Sequence, residues 1–533
     1  MNRLFPALVV TAALVCGFLL WKFADPHNAE IAEQHPSAER YPTSDSSLDP
    51  KIKHGQEVVR TRPLSTLFAK VEDFKKFWTV WEDGPEKENV KKMQGNALIA
   101  AVARHYGQFT ADYDNNGLPL GWIQVMVPDG KGGKDAWMMQ NCYSCHSSQI
   151  NGKMVWGAWN PRFDFQQMVN DNLRYVAKGV GIPVETLVKK MPYTLNQVAG
   201  HMNVIQSLGI DAALRAPDMS LRAPVDIDKV LSVAPSSINA LPWWNSGRKK
   251  RFYWDGWMSS KAELHSSDFA EMIVQFGGDD TGMPLVNLYN TPEQINAMLP
   301  DLADVYAYHM STATLKFPAG IDENLPAHFT INKDLAADGE KIFNTKVLTN
   351  GSTCLNCHGS YGSSPNYQTL FFPAEEVGTD GQRYSNLKML PIFLDWYRST
   401  PSLLLKPDAS GKPVHVDVEQ QRGYLAPPLN GIWASAPYLH NGSVPTLRDL
   451  LRPSERPAVW KIVESDTDMY DGKKVGLKVE AVKSIPNGIL EVERRKYFDS
   501  TSKLPGFSNA GHEFAAALTE PEVDALLEYL KTL

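Results

Sequence analysis

Cysteine is scarce in this sequence: only five occur among 533 residues. Four of them form two C-x-x-C pairs, and the fifth, Cys16, lies in an apolar N-terminal run. No cysteine therefore remains for a conventional disulfide framework. An excess of basic residues is also missing, since the formal net charge is −7, which argues against a nucleic-acid-binding protein. A hydrophobic fraction of 43% and a charged fraction of 21% argue against a disordered chain and a membrane protein with many spans.

The N-terminus has the pattern of an export signal or a signal anchor. A positive charge at Arg3 precedes the apolar run Leu4–Trp21, which is near the lower limit of the about 17–25 residues that span a membrane. Because no A-x-A cleavage site follows, we expect residues 1–25 to anchor a periplasmic protein to the inner membrane. Cleavage would instead give a soluble periplasmic or secreted protein. Residues 26–63 are polar with several Ser and Pro, and we expect them to form a tether.

Two short motifs indicate the chemistry of the protein. Both read C-x-x-C-H: Cys142-Tyr143-Ser144-Cys145-His146 and Cys354-Leu355-Asn356-Cys357-His358. This is the attachment signature of c-type haem, in which each cysteine bonds to one vinyl group and the histidine ligates the iron. A structural zinc site would need four ligands, and a thioredoxin-like motif needs no trailing histidine. The sequence therefore predicts two covalently attached haem c groups with iron.

The spacing of the two motifs indicates two haem domains. They lie 212 residues apart (354 minus 142), which is too far for one small cytochrome fold. We expect an N-terminal haem c domain over residues 64–330 and a C-terminal cytochrome c domain over residues 331–533. Helical periodicity occurs in residues 64–107 and from Phe163 to Val180. The expected fold class is mainly α, with two tandem cytochrome c-like haem domains, long irregular loops and the N-terminal membrane anchor.

Two helices of the second domain have clear boundary signals. Asn332 is suited to cap a helix that covers Ala336–Thr345, just before the second haem motif. Near the C-terminus, Thr519 can cap a final helix and Pro521 suits its first turn. These helices resemble the first and last helices of a class I cytochrome c, and we expect them to cross as they do in that fold.

A degenerate repeat links the two halves of the chain. The segments Pro242–Gly256 and Pro428–Gly442 each run fifteen residues from Pro to Gly, and each follows a haem motif. Both end in an aromatic residue, two variable residues, Asp or Asn, and Gly, which is a turn signal. The repeat favours duplication of one haem domain; the alternative is two unrelated loops.

Together with the two haem motifs, these loops resemble the bacterial dihaem cytochrome c peroxidase superfamily. The loops read Phe-Tyr-Trp-Asp-Gly at 252–256 and Ala-Pro-Tyr-Leu-His-Asn-Gly-Ser-Val-Pro-Thr-Leu at 436–447. The resemblance is closest to the dihaem rubber oxygenase branch. It implies that Trp254 lies between the haems and relays electrons. It also implies that Tyr253 and Phe269 form an aromatic pocket over an N-terminal haem iron that binds dioxygen, while a C-terminal haem with two histidine ligands serves electron transfer.

The residues themselves limit the choice of iron ligands. His146 and His358 are the expected proximal ligands because they complete the two motifs. In a class I cytochrome the sixth ligand precedes the last helix, and His512 is the only strong ligand in that place. His440 is the alternative. An aromatic distal side at the N-terminal haem would leave its iron open to a small gas or peroxide.

We therefore expect an exported dihaem c-type cytochrome that is an oxidoreductase. Its N-terminal haem would activate dioxygen or peroxide, and its C-terminal bis-His haem would transfer electrons. The alternative is a pure electron-transfer cytochrome without a catalytic centre, so enzyme activity stays an open question. The expected partners are an electron-transfer protein or the quinone pool, an apolar organic substrate, and the membrane through the anchor, but no nucleic acid.

Overall fold

A computed structural model describes most of the chain between residues 49 and 533. The described residues are 49–62, 67–111, 113–129, 131–150, 153–181, 198–201, 237–239, 241–244, 248–259, 301, 304–305, 307–309, 329–361, 366–389, 410–412, 422–463 and 469–533. Phe269, one of the expected site residues, lies outside them, as do residues 1–25 of the expected anchor.

The N-terminal half combines short helices with antiparallel strands. Its helices are α1 (Pro50–Thr61), α2 (Val71–Phe74), α3 (Pro85–Val90), α4 (Gly95–His105) and α5 (Phe165–Val180), with 3₁₀ turns at Phe77–Val80 and Cys142–Ser144. Its strands are β1 (Leu67–Lys70), β2 (Trp122–Pro128), β3 (Lys134–Gln140), β4 (Ser147–Ile150), β5 (Lys153–Trp156), β6 (Arg251–Phe252) and β7 (Met258–Ser259). They form an antiparallel sheet in the order β1-β3-β2 and the pairs β4–β5 and β6–β7.

The C-terminal half has the same mixed character. Its helices are α6 (Lys333–Thr345), α7 (Cys354–His358), α8 (Ala374–Val377), α9 (Gln382–Met389), α10 (Leu447–Leu451), α11 (Glu491–Arg494) and α12 (Glu520–Thr532), with 3₁₀ turns at Ile432–Ala434 and Pro453–Glu455. Its strands are β8 (Phe371–Pro373), β9 (Gly423–Leu425), β10 (Val459–Ile462), β11 (Tyr470–Asp471), β12 (Gly476–Leu477), β13 (Val479–Val482) and β14 (Tyr497–Asp499). The order β13-β10-β14 makes the largest sheet of this half.

The expected mainly α class is wrong. Helix accounts for 38% and strand for 17% of the structure, so strands are a substantial part of the fold. Residues 64–107 illustrate the reason: their apolar spacing predicts helix, yet Leu67–Lys70 pairs with β3 as an edge strand. Pairing with a distant strand overrides local periodicity, because β-structure depends on its neighbours more than on intrinsic preference.

The expected N-terminal anchor lies outside the residues that the structure describes. No helix among the described residues is long and apolar enough to cross a membrane. Part of the expected tether is instead folded, because α1 occupies Pro50–Thr61. Val58 and Val59 of this helix are buried in a core cluster that includes Tyr143 of the first haem motif.

Three helix predictions are confirmed, and their capping residues explain why. Helix α5 begins at Phe165, where the Asp164 side chain accepts a hydrogen bond from Gln167 N (3.0 Å). Helix α6 begins after Asn332, whose side chain accepts from Leu335 N (3.1 Å). Helix α12 begins with a capping box of Thr519 and Glu522, with a proline in its first turn. Such caps satisfy backbone N–H groups that have no partner within the helix.

Helices α6 and α12 cross closely, as in a class I cytochrome. A Cβ atom on Gly339 of α6 would lie only 2.0 Å from the carbonyl oxygen of Ala525 in α12. Beside this contact, the rings of Phe343 and Tyr529 lie 5.4 Å apart. The absent side chain at Gly339 therefore lets the two backbones approach, and α6 in turn contacts the second haem motif.

Two buried ion pairs join the N-terminal half to the C-terminal half. Arg495 donates two hydrogen bonds to the carboxylate of Asp164, and both side chains are buried. Arg383 of α9 lies 3.0 Å from Asp255, and these side chains are 4% and 1% exposed. Because buried charges are costly unless they are paired, each pair fixes how the halves meet.

Candidate functional site

The first haem motif lies on a 3₁₀ turn between β3 and β4. The Asn141 side chain caps this turn by accepting a hydrogen bond from Tyr143 N (3.0 Å). His146 N donates to the carbonyl oxygen of Cys142 (2.9 Å), so the motif folds back into one tight turn. The same short segment therefore presents both cysteines and the histidine, as covalent attachment of haem requires.

His146 is packed between indole rings. Its ring centre lies 5.4 Å from that of Trp243 and 5.6 Å from that of Trp159. Its Nδ1 atom is buried and has no hydrogen-bond partner among the described residues. Burial lowers the pKa of His146 to about 4, which keeps the imidazole neutral, the form that ligates iron.

The second haem motif forms the short helix α7. Thr353 caps it, accepting a hydrogen bond from Asn356 N (3.3 Å). His358 Nδ1 lies 2.8 Å from the carbonyl oxygen of Pro427 and is positioned to donate to it. Burial lowers the pKa of His358, and this carbonyl opposes the shift. A hydrogen bond at Nδ1 fixes the tautomer and leaves Nε2 for a metal.

The structure brings His512 close to His358. Their ring centres are 6.1 Å apart, with an angle of 49° between the planes. An imidazole–metal bond is about 2.0 Å long, so this separation leaves room for one metal ion between the two rings. His512 Nδ1 is buried without a partner among the described residues. Burial, followed by the neighbouring His358, lowers the pKa of His512 to about 3.

His512 is held in place by its backbone. It adopts a left-handed conformation with φ of 54°, which is unfavourable for a residue with a side chain. Its N–H donates to the carbonyl oxygen of Val377 at the end of α8 (2.8 Å). Before it, a Cβ atom on Gly511 would lie 2.6 Å from Thr379. Contacts with α8 and with the residues that follow it therefore fix the position of the imidazole.

His440, the alternative ligand, is engaged elsewhere. Its ring stacks on Tyr424 at 4.2 Å, and its Nε2 lies 3.1 Å from the Tyr424 hydroxyl. Burial, followed by the charge of Arg383, lowers the pKa of His440 to about 3. The nitrogen that would ligate iron is thus already hydrogen-bonded, and the geometry favours His512 over His440.

Trp254 links the two halves of the molecule. Its Nε1–H donates to the carbonyl oxygen of Asn239 (2.6 Å), and Asn239 N donates to the carbonyl oxygen of His440 (2.8 Å). The carbonyl oxygen of Trp254 accepts from Leu425 N in β9 (2.8 Å). The expected electron relay therefore lies at the junction of the halves and not on a free surface.

Tyr253 is clamped between two neighbours. Its ring stacks on Trp257 at 5.1 Å, and the guanidinium of Arg383 lies 5.8 Å from its ring centre. Its backbone is left-handed, with φ of 65°. Phe269, its expected companion in an aromatic pocket, lies outside the described residues.

The degenerate repeat has a matching backbone in both halves. Tyr253 and Leu439 hold equivalent positions and have φ of 65° and 62°. Gly256 and Gly442 are also equivalent, with φ of 62° and 63°. In each copy the glycine N–H donates to the carbonyl three residues earlier, at 3.4 Å and 3.1 Å. This agreement supports duplication over two unrelated loops.

Several residues of the site were not identified from the sequence. Pro427, Asn239 and Tyr424 act through backbone carbonyls or through contacts between distant segments, for which a single sequence carries no signal. The basic run from Arg248 to Arg251 is exposed at Arg248 and Lys250 and half-buried at Arg251. Lys249 is buried, and burial lowers its pKa to about 8.

Comparison with known proteins identifies a cytochrome c domain. The profile of the family described as RoxA-like, cytochrome c-like matches residues 423–461, the segment that contains the His440 loop. This supports a relationship to RoxA-like dihaem cytochromes and indicates a cytochrome c-type haem protein. Since haem c is attached outside the cytoplasm, it also indicates an exported protein.

Two relatives come from Sinorhizobium fredii (strain NBRC 101917 / NGR234). Uncharacterized protein y4iJ is 38% identical over 126 residues, which cover 22% of this chain and 19% of that protein. Uncharacterized protein y4iM is 29% identical over 240 residues, which cover 39% of this chain and 51% of that protein. The chain thus spans about a fifth of the first and about half of the second.

Proposed function

We propose that the protein is a periplasmic dihaem c-type cytochrome with oxidoreductase activity. In this proposal the N-terminal haem binds and activates dioxygen or peroxide, and the C-terminal haem delivers electrons to it. The proposal extends the cytochrome c domain identified by comparison to a second haem, because C-x-x-C-H occurs twice in the chain.

The observation that carries the proposal is the different surroundings of the two motif histidines. His358 faces a second imidazole, His512, at a ring separation of 6.1 Å. The described rings beside His146 are the indoles of Trp159 and Trp243, and the imidazole of His309 stacks on Trp243 at 5.3 Å without a described ring contact to His146. Indole does not ligate ferric iron, whereas imidazole does. One haem would therefore be closed by two histidines and the other would keep a position open to a small ligand.

The chain's own residues would divide the work. Cys142, Cys145, Cys354 and Cys357 would form the thioether bonds, and His146 and His358 would hold the two irons from the proximal side. Haem iron with an open coordination position supplies one-electron transfer and binding of dioxygen or peroxide. Trp254, at the junction of the halves, would carry electrons between the two centres. Tyr253 beside it would shape the pocket over the first haem.

The experiment is a pair of spectra on the purified, fully matured protein. Visible and paramagnetic resonance spectra should show one low-spin haem and one that is high-spin or oxygen-bound. Cyanide or peroxide should change only the second signal. A pyridine haemochrome assay should give two haems per chain, and replacement of Cys142 and Cys145 by alanine should remove one of them. Two low-spin haems that refuse cyanide, oxygen and peroxide would instead identify a pure electron carrier.

A further inference from the structure

In the C-terminal half, the motif histidine is tied in two ways to the start of the repeated loop and to Pro427, the residue just before it. The carbonyl oxygen of Pro427 accepts from His358 Nδ1 (2.8 Å). Leu429 N donates to the Tyr361 hydroxyl (2.6 Å), and this hydroxyl donates to the carbonyl oxygen of His358 (2.8 Å). Pro427 and the loop therefore support both the imidazole and the backbone of the motif histidine.

The N-terminal half repeats only the support to the backbone. Trp243, which is equivalent to Leu429 in the repeat, donates its N–H to the carbonyl oxygen of Gly157 (3.0 Å), and Gly157 N donates to that of His146 (2.9 Å). The imidazole differs, because no acceptor among the described residues bonds to the buried Nδ1 of His146. Indole rings lie against it instead.

We infer that His358 donates more electron density to its iron than His146 does to its own. This difference raises the reduction potential of the N-terminal haem above that of the C-terminal haem. A hydrogen bond from Nδ1–H to a carbonyl makes the imidazole a more basic ligand and stabilises ferric iron. His358 has this bond, whereas none of the described residues accepts a hydrogen bond from His146 Nδ1. Trp243 is a positioning residue here, since it fills the space beside His146 with an apolar ring.

The consequence is a direction of electron flow. With His358 and His146 holding the two haems, one electron would pass from the C-terminal haem, which would be oxidised, to the N-terminal haem, which would be reduced. The inference rests on the proposed function in one respect, namely that His146 and His358 both ligate iron. It does not depend on what the N-terminal haem reacts with.

The first experiment compares the two haems with equal ligand sets. The reduction potentials are measured by potentiometric titration of the whole protein in saturating imidazole. Imidazole would give the N-terminal haem a second nitrogen ligand, so that its ligand set matches the one proposed for the C-terminal haem. We expect the N-terminal haem still to have the higher potential. For a one-electron couple, a difference in reduction potential of about 59 mV between the haems corresponds to a tenfold equilibrium preference of the electron for the haem of higher potential. Equal or reversed potentials would overturn the inference. Failure of imidazole to bind would count against the proposed open position, and the variants below would then decide.

A pair of substitutions tests the role of Trp243 directly. Trp243→Gln offers an amide oxygen to His146 Nδ1 and should lower the potential of the N-terminal haem. Trp243→Phe keeps the apolar contact and should leave that potential close to the native value. Haem content and visible spectra of both variants control for loss of the fold. If the two variants shift the potential equally, the apolar ring is not what sets it.

A vibrational measurement does not depend on Trp243 variants. In the ferrous His512→Ala protein the C-terminal haem should be five-coordinate, so its iron–histidine stretch becomes visible as a new resonance Raman band. We expect this band at a higher frequency than that of the N-terminal haem, because the hydrogen bond to Pro427 strengthens the iron–His358 bond. A new band at the same or a lower frequency would contradict the inference.

Discussion

Tyr253 and Leu439 share a left-handed backbone, with φ of 65° and 62°, although 186 residues separate them (439 minus 253). Neither is glycine, so each turn stores strain of order 1–3 kcal/mol, which persists only where the surroundings over-determine it. Both turns lie at the junction of the two halves, and the residue after each turn bonds to Asn239. The Asn239 carbonyl oxygen accepts from Trp254 Nε1–H, and the Asn239 N–H donates to the carbonyl oxygen of His440. Two turns of matching conformation thus meet at one residue, Asn239.

The ligand assignment for the C-terminal haem predicts opposite effects of two histidine substitutions. His512→Ala should convert this haem to high spin, because no other imidazole among the described residues lies as close to His358. His440→Ala is the matched control and should leave the low-spin signal in place, since His440 Nε2 is bonded to Tyr424. Paramagnetic resonance of the ferric proteins measures both. A low-spin signal that survives in the first variant and is lost in the second would reverse the assignment.

Much of the local structure of the second half could be predicted from the sequence. The caps at Asn332 and Thr519 are local signals, since the capping side chain and its backbone partner lie within three residues. The repeat was visible for the same reason, because its glycines and the Asp or Asn before them mark turns. The fold class was wrong because strands such as Leu67–Lys70 exist only through pairing with a distant strand.

For the site too, the side chains with distinctive chemistry could be predicted from the sequence, but the backbone groups that bond to them could not. The motif histidines and His512 could be predicted as iron ligands from their residue types and order alone, and the structure brings His512 close to His358. The Pro427 carbonyl and the Asn239 carbonyl could not be found, because any residue supplies a carbonyl and only the folded chain shows which one is near. The pairing of Asp255 with Arg383, 128 residues apart, is equally invisible in one sequence.

Trp254→Phe should slow electron exchange between the haems while both visible spectra stay nearly unchanged. The phenyl ring is a much poorer redox relay than indole, and it cannot donate to the Asn239 carbonyl. Trp460→Phe is a suitable control. It also removes one indole donor, to the Ser443 carbonyl (3.1 Å), but lies in the core of the C-terminal half. The rate of electron exchange is measured by reducing one haem rapidly and following the absorbance of both haems by stopped flow. Equal slowing in both variants would argue against a relay at Trp254.

The pair of Arg495 and Asp164 should contribute strongly to the cohesion of the two halves. Arg495→Met leaves the Asp164 carboxylate buried without its counter-ion, a change that typically costs about 3–5 kcal/mol. The exposed pair of Lys341 and Asp338, 2.9 Å apart and 76% and 63% exposed, provides the control. Lys341→Met should change the free energy of unfolding by less than about 1 kcal/mol. Chemical denaturation of the haem-loaded protein measures both, and similar small losses would mean that the buried pair is dispensable.

Gly339→Ala should destabilise the C-terminal half, even though alanine is the better helix former. In an open helix the substitution would stabilise by about 1 kcal/mol. At this position the new Cβ would lie 2.0 Å from the Ala525 carbonyl oxygen and 2.8 Å from Tyr529 Cβ, so α6 and α12 must separate at a cost of about 1–3 kcal/mol or more.

Gly179→Ala separates the effect of crowding from that of helix propensity. Gly179 is exposed near the end of α5, and a Cβ there would meet nothing within 4 Å. This variant should gain up to about 1 kcal/mol, whereas Gly339→Ala should lose stability and loosen the C-terminal haem motif that α6 precedes. Thermal unfolding followed at the Soret band compares the two directly. If both variants gain stability, the helices are not packed as closely as the structure has them, and the crossing at Gly339 does not hold the second haem motif in place.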